Sequence, residues 1–337
     1  MADRRPTIKD VAARAGISKG MVSLALRGAP GPSAETAARV LRAAAELGYR
    51  ADRAASALAL RRTRLLGITM TVRNAFHAEL VEELQAAAEE AGYEVVLSAV
   101  TRTRGERAAV ETLLDSRCEA LLLLGPELPA AELVELDRRT PVVVLGRRTS
   151  RTGRAGEDLD VVRTADGAGV RLAVDHLVGL GHRELLHVGG GDGDIAADRR
   201  EGFRRAVAAH GLDGRARVVE GEFLESAGVR AARQLLAAGW STTGVVAASD
   251  RIALGFLDVL AREGVDVPGR LSVVGYDDSP LAQLGHVQLT SVSQGPVDQA
   301  RCAVRAAVER LDGGRVQRAE VVLEPRLVVR RTTAPPP

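Results

Sequence analysis

The chain predicts two units of different class: an all-α head of three short helices, and an α/β body of parallel sheets covered by helices. Three observations carry this. Residues 7–49 hold three helical runs punctuated by capping residues and glycine. From Leu65 onward, short apolar runs alternate with amphipathic ones, the pattern of parallel strands covered by helices on both faces. Charge divides at the same place. Residues 1–64 carry 13 Lys/Arg against five Asp/Glu, a net of +8; the whole chain is +2, so residues 65–337 sum to −6. A basic head on a mildly acidic body points to a polyanion bound by the head alone.

In the head, Thr7 is a good N-cap and Asp10 suits the positive end of a helix. Ile8, Val11, Ala12 and Ala15 then share one face, and Gly16 ends the run. Ser18 caps a second helix whose expected buried face is Met21, Val22 and Leu26. Pro32-Ser33 opens a third, with Ala37, Val40, Leu41, Ala44 and Leu47 at helical spacing, and Gly48 stops it. A helix, a glycine turn and a helix with a short polar outer face is the helix-turn-helix pattern, which lays its second helix in the DNA major groove. On helix 18–27 the outer residues are Ser18, Lys19, Gly20, Ser23, Leu24 and Arg27. Lys19 is expected to donate to guanine O6 and N7, while Ser18, Ser23 and Arg27 touch phosphates.

The body opens with strand LLGITM, a helix around 78–91 and strand EVVLS. Helices near 106–116 and 131–138 lead to ALLLL and PVVVL, and the polar loop Gly146–Asp158 is expected to be exposed. The cycle restarts with LLHVGG, RVVEG, GVVAA and LSVVGY. In open parallel sheets a ligand lies at the carboxyl ends of the strands.

Several classes are excluded. No apolar run precedes the head and none approaches the ~20 residues of a membrane span, so a cytoplasmic protein is expected. Cys118 and Cys302 lack metal-type spacing and read as reduced. The run GGGDGD suggests a nucleotide loop, but Gly189-x-Gly191-x-x-Asp194 fails at its third glycine. Walker A, nucleophile-elbow and His/Cys cluster signatures are missing, and His176, His182 and His187 read as structural. An enzyme, a cofactor and a bound metal are therefore not expected.

The ordered motifs TIKDVAARAGIS, MVSLALRG, AELGY, ADRAASALA, HLVGLGHRELLHVGG, RREGF, VVAASDRIALG, VPGRLSVVGYDDSPLA and LTSVSQ resemble the lactose-repressor (LacI/GalR) family of bacterial transcription regulators. The resemblance runs through nearly the whole chain. It implies a helix-turn-helix domain over 1–49, a hinge helix and linker over 50–63, and a periplasmic-binding-protein-like body over 64–337. Lobe 1 would take about 64–180 and 293–322, and lobe 2 about 181–292 and 323–337.

Thr7 and the helix-turn-helix residues Ser18, Lys19, Gly20, Met21, Ser23, Leu24 and Arg27 fall at the family's DNA-contacting positions, with Lys19, Gly20 and Leu24 as base readers. Leu24 stands where members often carry arginine and Met21 where they carry threonine, so the operator should differ from the commonest sites. In the hinge, Arg53 and Ser56 would touch DNA, and Leu58 holds the position of a minor-groove wedge that kinks the duplex. Ala51 replaces the usual proline. At the family's ligand positions stand Phe76, His77, Asp166, Arg199, Phe223, Ser249, Asp250, Asp277 and Gln294. An arginine fork, acids and aromatic faces suit a polyhydroxylated ligand, although a sugar phosphate, nucleobase or small acid stays open. Asp250 has an alternative role as a helix cap. The implied function is a repressor that binds a pseudo-palindromic operator as a homodimer, controlled by a small molecule between the lobes. An activator of the same family, or a sugar-binding protein without DNA function, is the alternative.

Overall fold

The computed structural model describes residues 6–26, 29–49, 62–149, 159–239 and 241–337. Residues 1–63 and 64–337 are separate compact units. In the head, α1 (Ile8–Ala15), α2 (Lys19–Leu26) and α3 (Ala34–Glu46) enclose a core of Val11, Ala15, Val22, Ala25, Val40, Ala43 and Ala44. The Thr7 amide and hydroxyl both donate to Asp10 Oδ2, each at 2.7 Å. Gly16 closes α1 with a left-handed φ of 65°. Ser18 Oγ accepts from the Met21 amide at 3.3 Å, and Ser33 Oγ from the Thr36 amide at 3.2 Å. Two expectations are corrected. Met21 and Leu26 are only half-buried, because the inward edge of α2 is the i, i+3 pair Val22 and Ala25. Leu41 is 55% exposed, because α3 turns Val40, Ala43 and Ala44 inward. Replacing Thr7 by alanine should cost the head about 1 kcal/mol. Faster hydrogen exchange of the α1 amides is the readout.

The body begins with β1 (Leu65–Thr71), α4 (Ala75–Glu90), β2 (Glu94–Val100), α5 (Glu106–Asp115), β3 (Ala120–Leu124), α6 (Ala130–Arg139), β4 (Val142–Leu145) and β5 (Asp160–Thr164). It continues through α7 (Asp166–Gly179), β6 (Leu185–Val188), α8 (Asp194–Ala209), β7 (Ala216–Val219), α9 (Glu225–Ala237) and β8 (Gly244–Ala247). The last elements are α10 (Asp250–Arg262), β9 (Ser272–Asp277), β10 (Thr290–Ser293), α11 (Pro296–Leu311), β11 (Glu320–Leu323) and β12 (Arg326–Val328). One sheet, all parallel, has the order β11-β5-β4-β3-β1-β2. The other has the order β12-β10-β9-β8-β6-β7 and is parallel except for β12. The central runs ALLLL and GVVA are wholly buried, because helices cover both faces of each sheet. Leu80 and Leu84 of α4 with Ala300 and Ala303 of α11 cover one face of the first sheet, and Leu113 of α5 with Leu133 of α6 the other.

The first lobe ends near Thr164, not near 180. Helix α7 packs Val170, Val174 and Leu177 against Leu185 and Phe203, in the second lobe's core. Its apolar stripe is satisfied there, so the chain crosses directly after β5. It crosses back between β10 and α11, and a third time between β11 and β12. The loop after β4 also departs from expectation at its start. Arg147 is largely buried and donates to Asp194 Oδ2 and the Leu128 carbonyl, both at 3.0 Å; Arg148 donates to Asp198 Oδ2 at 2.9 Å. Residues 150–158 lie outside the described residues.

In each sheet the strand order reverses once, about β1 in the first and about β6 in the second. At such a point adjacent loops run to opposite sides and leave a crevice at the carboxyl ends of the strands.

Candidate functional site: a ligand cleft and a DNA-facing helix

On the head, Ser18, Lys19 and Gly20 are exposed at the start of α2, and Ser23 and Leu24 are half-buried one turn further on. Gly20 leaves open space where a Cβ would stand. An eight-residue helix held by Val22 and Ala25 thus offers a short polar end with a cation, the form that fits a major groove.

On the body, the two crevices share one cavity of about 50 Å³, room for a few waters. A ligand the size of a sugar therefore enters only when the lobes part or the lining moves. Asn74, Phe76, His77 and Gly125 line it from the first lobe; Arg199, Phe223, Arg251 and Asp277 line it from the second. The Asn74 side chain caps α4 through the Phe76 amide at 3.1 Å, which sets Phe76 and His77 at the cavity edge. Arg199 is 3% exposed. Its Nε donates to Asp166 Oδ1 at 2.7 Å and its Nη1 to the Ala248 carbonyl at 2.5 Å. Asp277 Oδ1 lies 3.7 Å from the same Nη1, and the guanidinium carbon stands 3.7 Å over the Tyr276 ring.

Burial governs the ionisation here. Desolvation pushes the carboxyls of Asp166 and Asp277 up, Asp277 far up, against the opposing pull of Arg199. Burial also opposes the Arg199 charge, but Asp166, Tyr276 and Asp277 outweigh it and hold the guanidinium protonated. Desolvation lifts Asp250 to about 6, although Ser291 and Ser279 donate to it. Glu79, on the first lobe, is raised to about 7 by desolvation and by the charges of Asp250 and Asp278 on the second. His77 drops to about 4 by burial alone and is neutral at pH 7.

Residues 7–52 match the description "Bacterial regulatory proteins, lacI family", and residues 174–333 match "Periplasmic binding protein-like domain". The transcriptional regulator CelR of Thermobifida fusca is 32% identical over 98% of this chain and 98% of its own. The chain belongs to the lacI family. Structures agree. A LacI transcriptional regulator from a Rhodococcus species is 44% identical with a TM-score of 0.76, over 80% of this chain and 98% of its own. The lac repressor dimer bound to operator and the anti-inducer ONPF has a TM-score of 0.84 at 27% identity, over 98% of this chain and 100% of its own. A CelR–cellobiose complex has a TM-score of 0.70 at 30% identity, over 97% of this chain and 100% of its own.

In this lacI-family regulator the residues expected at the cleft divide into two groups. Phe76, His77, Arg199, Phe223, Ser249, Asp277 and Gln294 all reach the cavity wall. Ser249 is also the cap of α10, accepting from the Ile252 amide at 3.3 Å. Asp166 stands behind Arg199 and orients it, outside the wall. Asp250 is neither ligand-facing nor the cap. It accepts from the Ser279 amide, the Ser279 hydroxyl and the Ser291 hydroxyl at 2.7, 2.8 and 2.6 Å, tying the β9 turn to β10. Sequence reasoning missed Asn74, Arg251 and Gln299 in the wall. The available signal for Gln299 was a lone amide on the alanine- and valine-rich face of α11. Arg27, Arg53, Ser56 and Leu58 lie outside the described residues. Among the described residues no cluster of His, Cys, Asp or Glu is fit to hold a metal, and no helix is long and apolar enough to cross a membrane.

Proposed function

We propose that this regulator binds a pseudo-palindromic operator as a homodimer, most simply as a repressor, and that a small polyhydroxylated effector in the cleft changes its DNA affinity. The observation that carries the reading is the cleft itself. Arg199 and Asp277 of one lobe face His77 and Asn74 of the other, so one ligand contacts both lobes and its binding fixes the angle between them. The ion pairs Arg147–Asp194 and Arg148–Asp198 cross the same gap and give that angle a preferred value. A ligand shifts the equilibrium only by its differential affinity for the two lobe arrangements. The lac repressor is known bound to operator as a dimer and CelR with cellobiose, which supports operator DNA and a sugar as partners here.

The test is footprinting of the chain's own upstream region, with and without a panel of sugars. The expected result is one near-palindromic protected site whose occupancy changes with one sugar. No protected site in a genome-wide selection of bound fragments would refute the DNA-binding role. Lys19, Gly20 and Leu24 are proposed as base readers, with Ser18, Ser23 and Arg27 on phosphates and the hinge residues Arg53 and Ser56 touching DNA. Replacing Lys19 by alanine should relax preference at one base pair by about tenfold, whereas Arg27→Ala should weaken all sites and flatten the salt slope by about one unit. Equal slopes and preferences in parent and both variants would reassign the reading helix.

A further inference from the structure

We propose that the cleft carries a polar subsite formed by His77 Nε2 and Gln299 Oε1, which takes a hydroxyl-bearing, uncharged ligand and discriminates against phosphorylated and acidic sugars. This rests on the reading of the cleft as the effector site.

The hydrogen bonds fix the chemistry of both groups. The Thr71 amide donates to His77 Nδ1 at 3.1 Å. A backbone amide only donates, so Nδ1 holds a lone pair and the proton of the neutral ring sits on Nε2. Nε2 faces Gly125, 3.4 Å from where a Cβ would stand. His77 therefore presents a donor at the wall of the cavity. Gln299 is the complementary case. Its Nε2 donates to Thr164 Oγ1 and to the Gln294 carbonyl, each at 3.0 Å. A carbonyl only accepts, so the amide cannot be turned over. Gln299 is fully buried, and its Oε1 has no hydrogen-bond partner. Gln299 lines the cavity, and a buried acceptor without a donor requires an explanation; a ligand hydroxyl or amide supplies one once the lining moves. One sugar hydroxyl can accept from one such group and donate to another.

The charges around the cavity argue against an anion. Its arginines are Arg199 and Arg251. Arg199 gives its Nε to Asp166 and its Nη1 to the Ala248 carbonyl, with Asp277 3.7 Å from Nη1. Arg251 grips both oxygens of Glu225, at 2.7 and 2.5 Å, and also the Arg73 carbonyl. Two cations thus face three carboxyl groups, with Glu79 close to Asp277 as a fourth, and burial raises Asp166, Asp277 and Glu79, so a further negative charge is disfavoured there. A phosphate would have to compete with a carboxyl for each arginine. Asp277 Oδ1 accepts from Gln294 Nε2 at 2.7 Å, and its carboxyl can pair with a ligand hydroxyl.

The test titrates the full-length protein by calorimetry with cellobiose, galactose and ribose, and with glucose 6-phosphate, galactose 6-phosphate and glucuronate. At least one uncharged sugar should bind, and the anionic ones at least about 100-fold more weakly. On that sugar, His77→Phe and Gln299→Leu should each lower affinity about tenfold while keeping side-chain volume. An anionic sugar that binds more tightly than the uncharged ones overturns the proposal, as does silence from every uncharged sugar or parental affinity in both variants. If an anionic sugar binds and Arg199→Ala abolishes it, the cleft remains the effector site and only this subsite falls. Binding indifferent to Arg199→Ala removes the effector from the cleft and sinks both readings. A second measurement is independent of any sugar. In 15N-histidine spectra, with His77 assigned by its loss in His77→Gln, the ring should show the Nε2–H tautomer. An Nδ1–H tautomer overturns the proposal.

Discussion

Replacing Arg199 by alanine should abolish the effector response and destabilise the body by about 3–5 kcal/mol, the cost of stranding a buried charge. The guanidinium is 3% exposed and holds Asp166, the Ala248 carbonyl and, more loosely, Asp277. Its removal leaves two buried carboxyls without their cation. Both already lie above the ordinary carboxylate range, so they would take up protons and the cost would be partly relieved at low pH. A drop in Tm on the order of 10 °C at neutral pH is expected, smaller at pH 5. Arg199→Lys should recover only part of the loss, because an ammonium does not reproduce the planar fork between Asp166 and Ala248. The head has its own core of seven buried side chains, so operator binding below the transition should stay near parental. A variant with parental Tm and an intact sugar response would show that Arg199 is not the keystone of the cleft.

Local rules made much of this molecule legible. Capping residues at Thr7, Ser18 and Ser33 and the stop at Gly16 mark the head helices because each cap is a contact within three or four residues. The strands were readable because buried parallel strands are continuous apolar runs. What escaped depends on contacts between distant segments. Nothing near α7 says which sheet its stripe Val170, Val174 and Leu177 will cover; Phe203 and Leu185 decide that. Asp250 has the sequence of a cap, but Ser279 and Ser291, some 30 and 40 residues on, claim its oxygens. Asp166 and Arg199 were each legible as residues at the family's ligand positions. Their bond, which turns the acid into a support for the arginine, was not. Gln299 showed in the sequence only as a lone amide on an apolar face; its role depends on Thr164 and the Gln294 carbonyl, which are themselves paired. Close approach belongs to the same class: a Cβ on Gly228 would lie 1.9 Å from the Ile252 carbonyl, so α9 and α10 touch at the backbone and thereby place Ser249 and Arg251.

The raised acids Asp250 and Glu79 should make stability fall as pH rises, since each pH unit between folded and unfolded values is worth about 1.4 kcal/mol. Asp250 stands at about 6 in the folded protein and Glu79 at about 7, against ordinary values of 3.8 and 4.5. Each carboxyl holds its proton longer when folded. Its contribution is complete below the ordinary value and is lost as pH rises through about 6 and about 7. His77 and His187, both lowered by burial to about 4, act in the opposite sense. Their contribution is complete above 6.5 and is lost as pH falls toward 4. The two sets offset one another below pH 6.5, so the parent curve alone is a poor readout and differences between variants are the measurement. Asp250→Asn puts an amide among the three donors of Ser279 and Ser291, so it should be less stable than the parent at pH 5, with the gap narrowing by pH 8. Glu79→Gln should match the parent near pH 5 and exceed it at pH 8. The gain should be on the order of 1 kcal/mol, because Glu79 is partly exposed and screened. Parent and variant curves that run parallel from pH 5 to 8 would remove the effect. The consequence for regulation follows from where the charges sit. Glu79 is on α4 of the first lobe, while Asp250 and Asp278 are on the second, Asp278 paired with Arg330. Their repulsion acts across the cleft, so alkaline pH should open the lobes and weaken sugar binding. Glu79→Gln should erase that pH dependence.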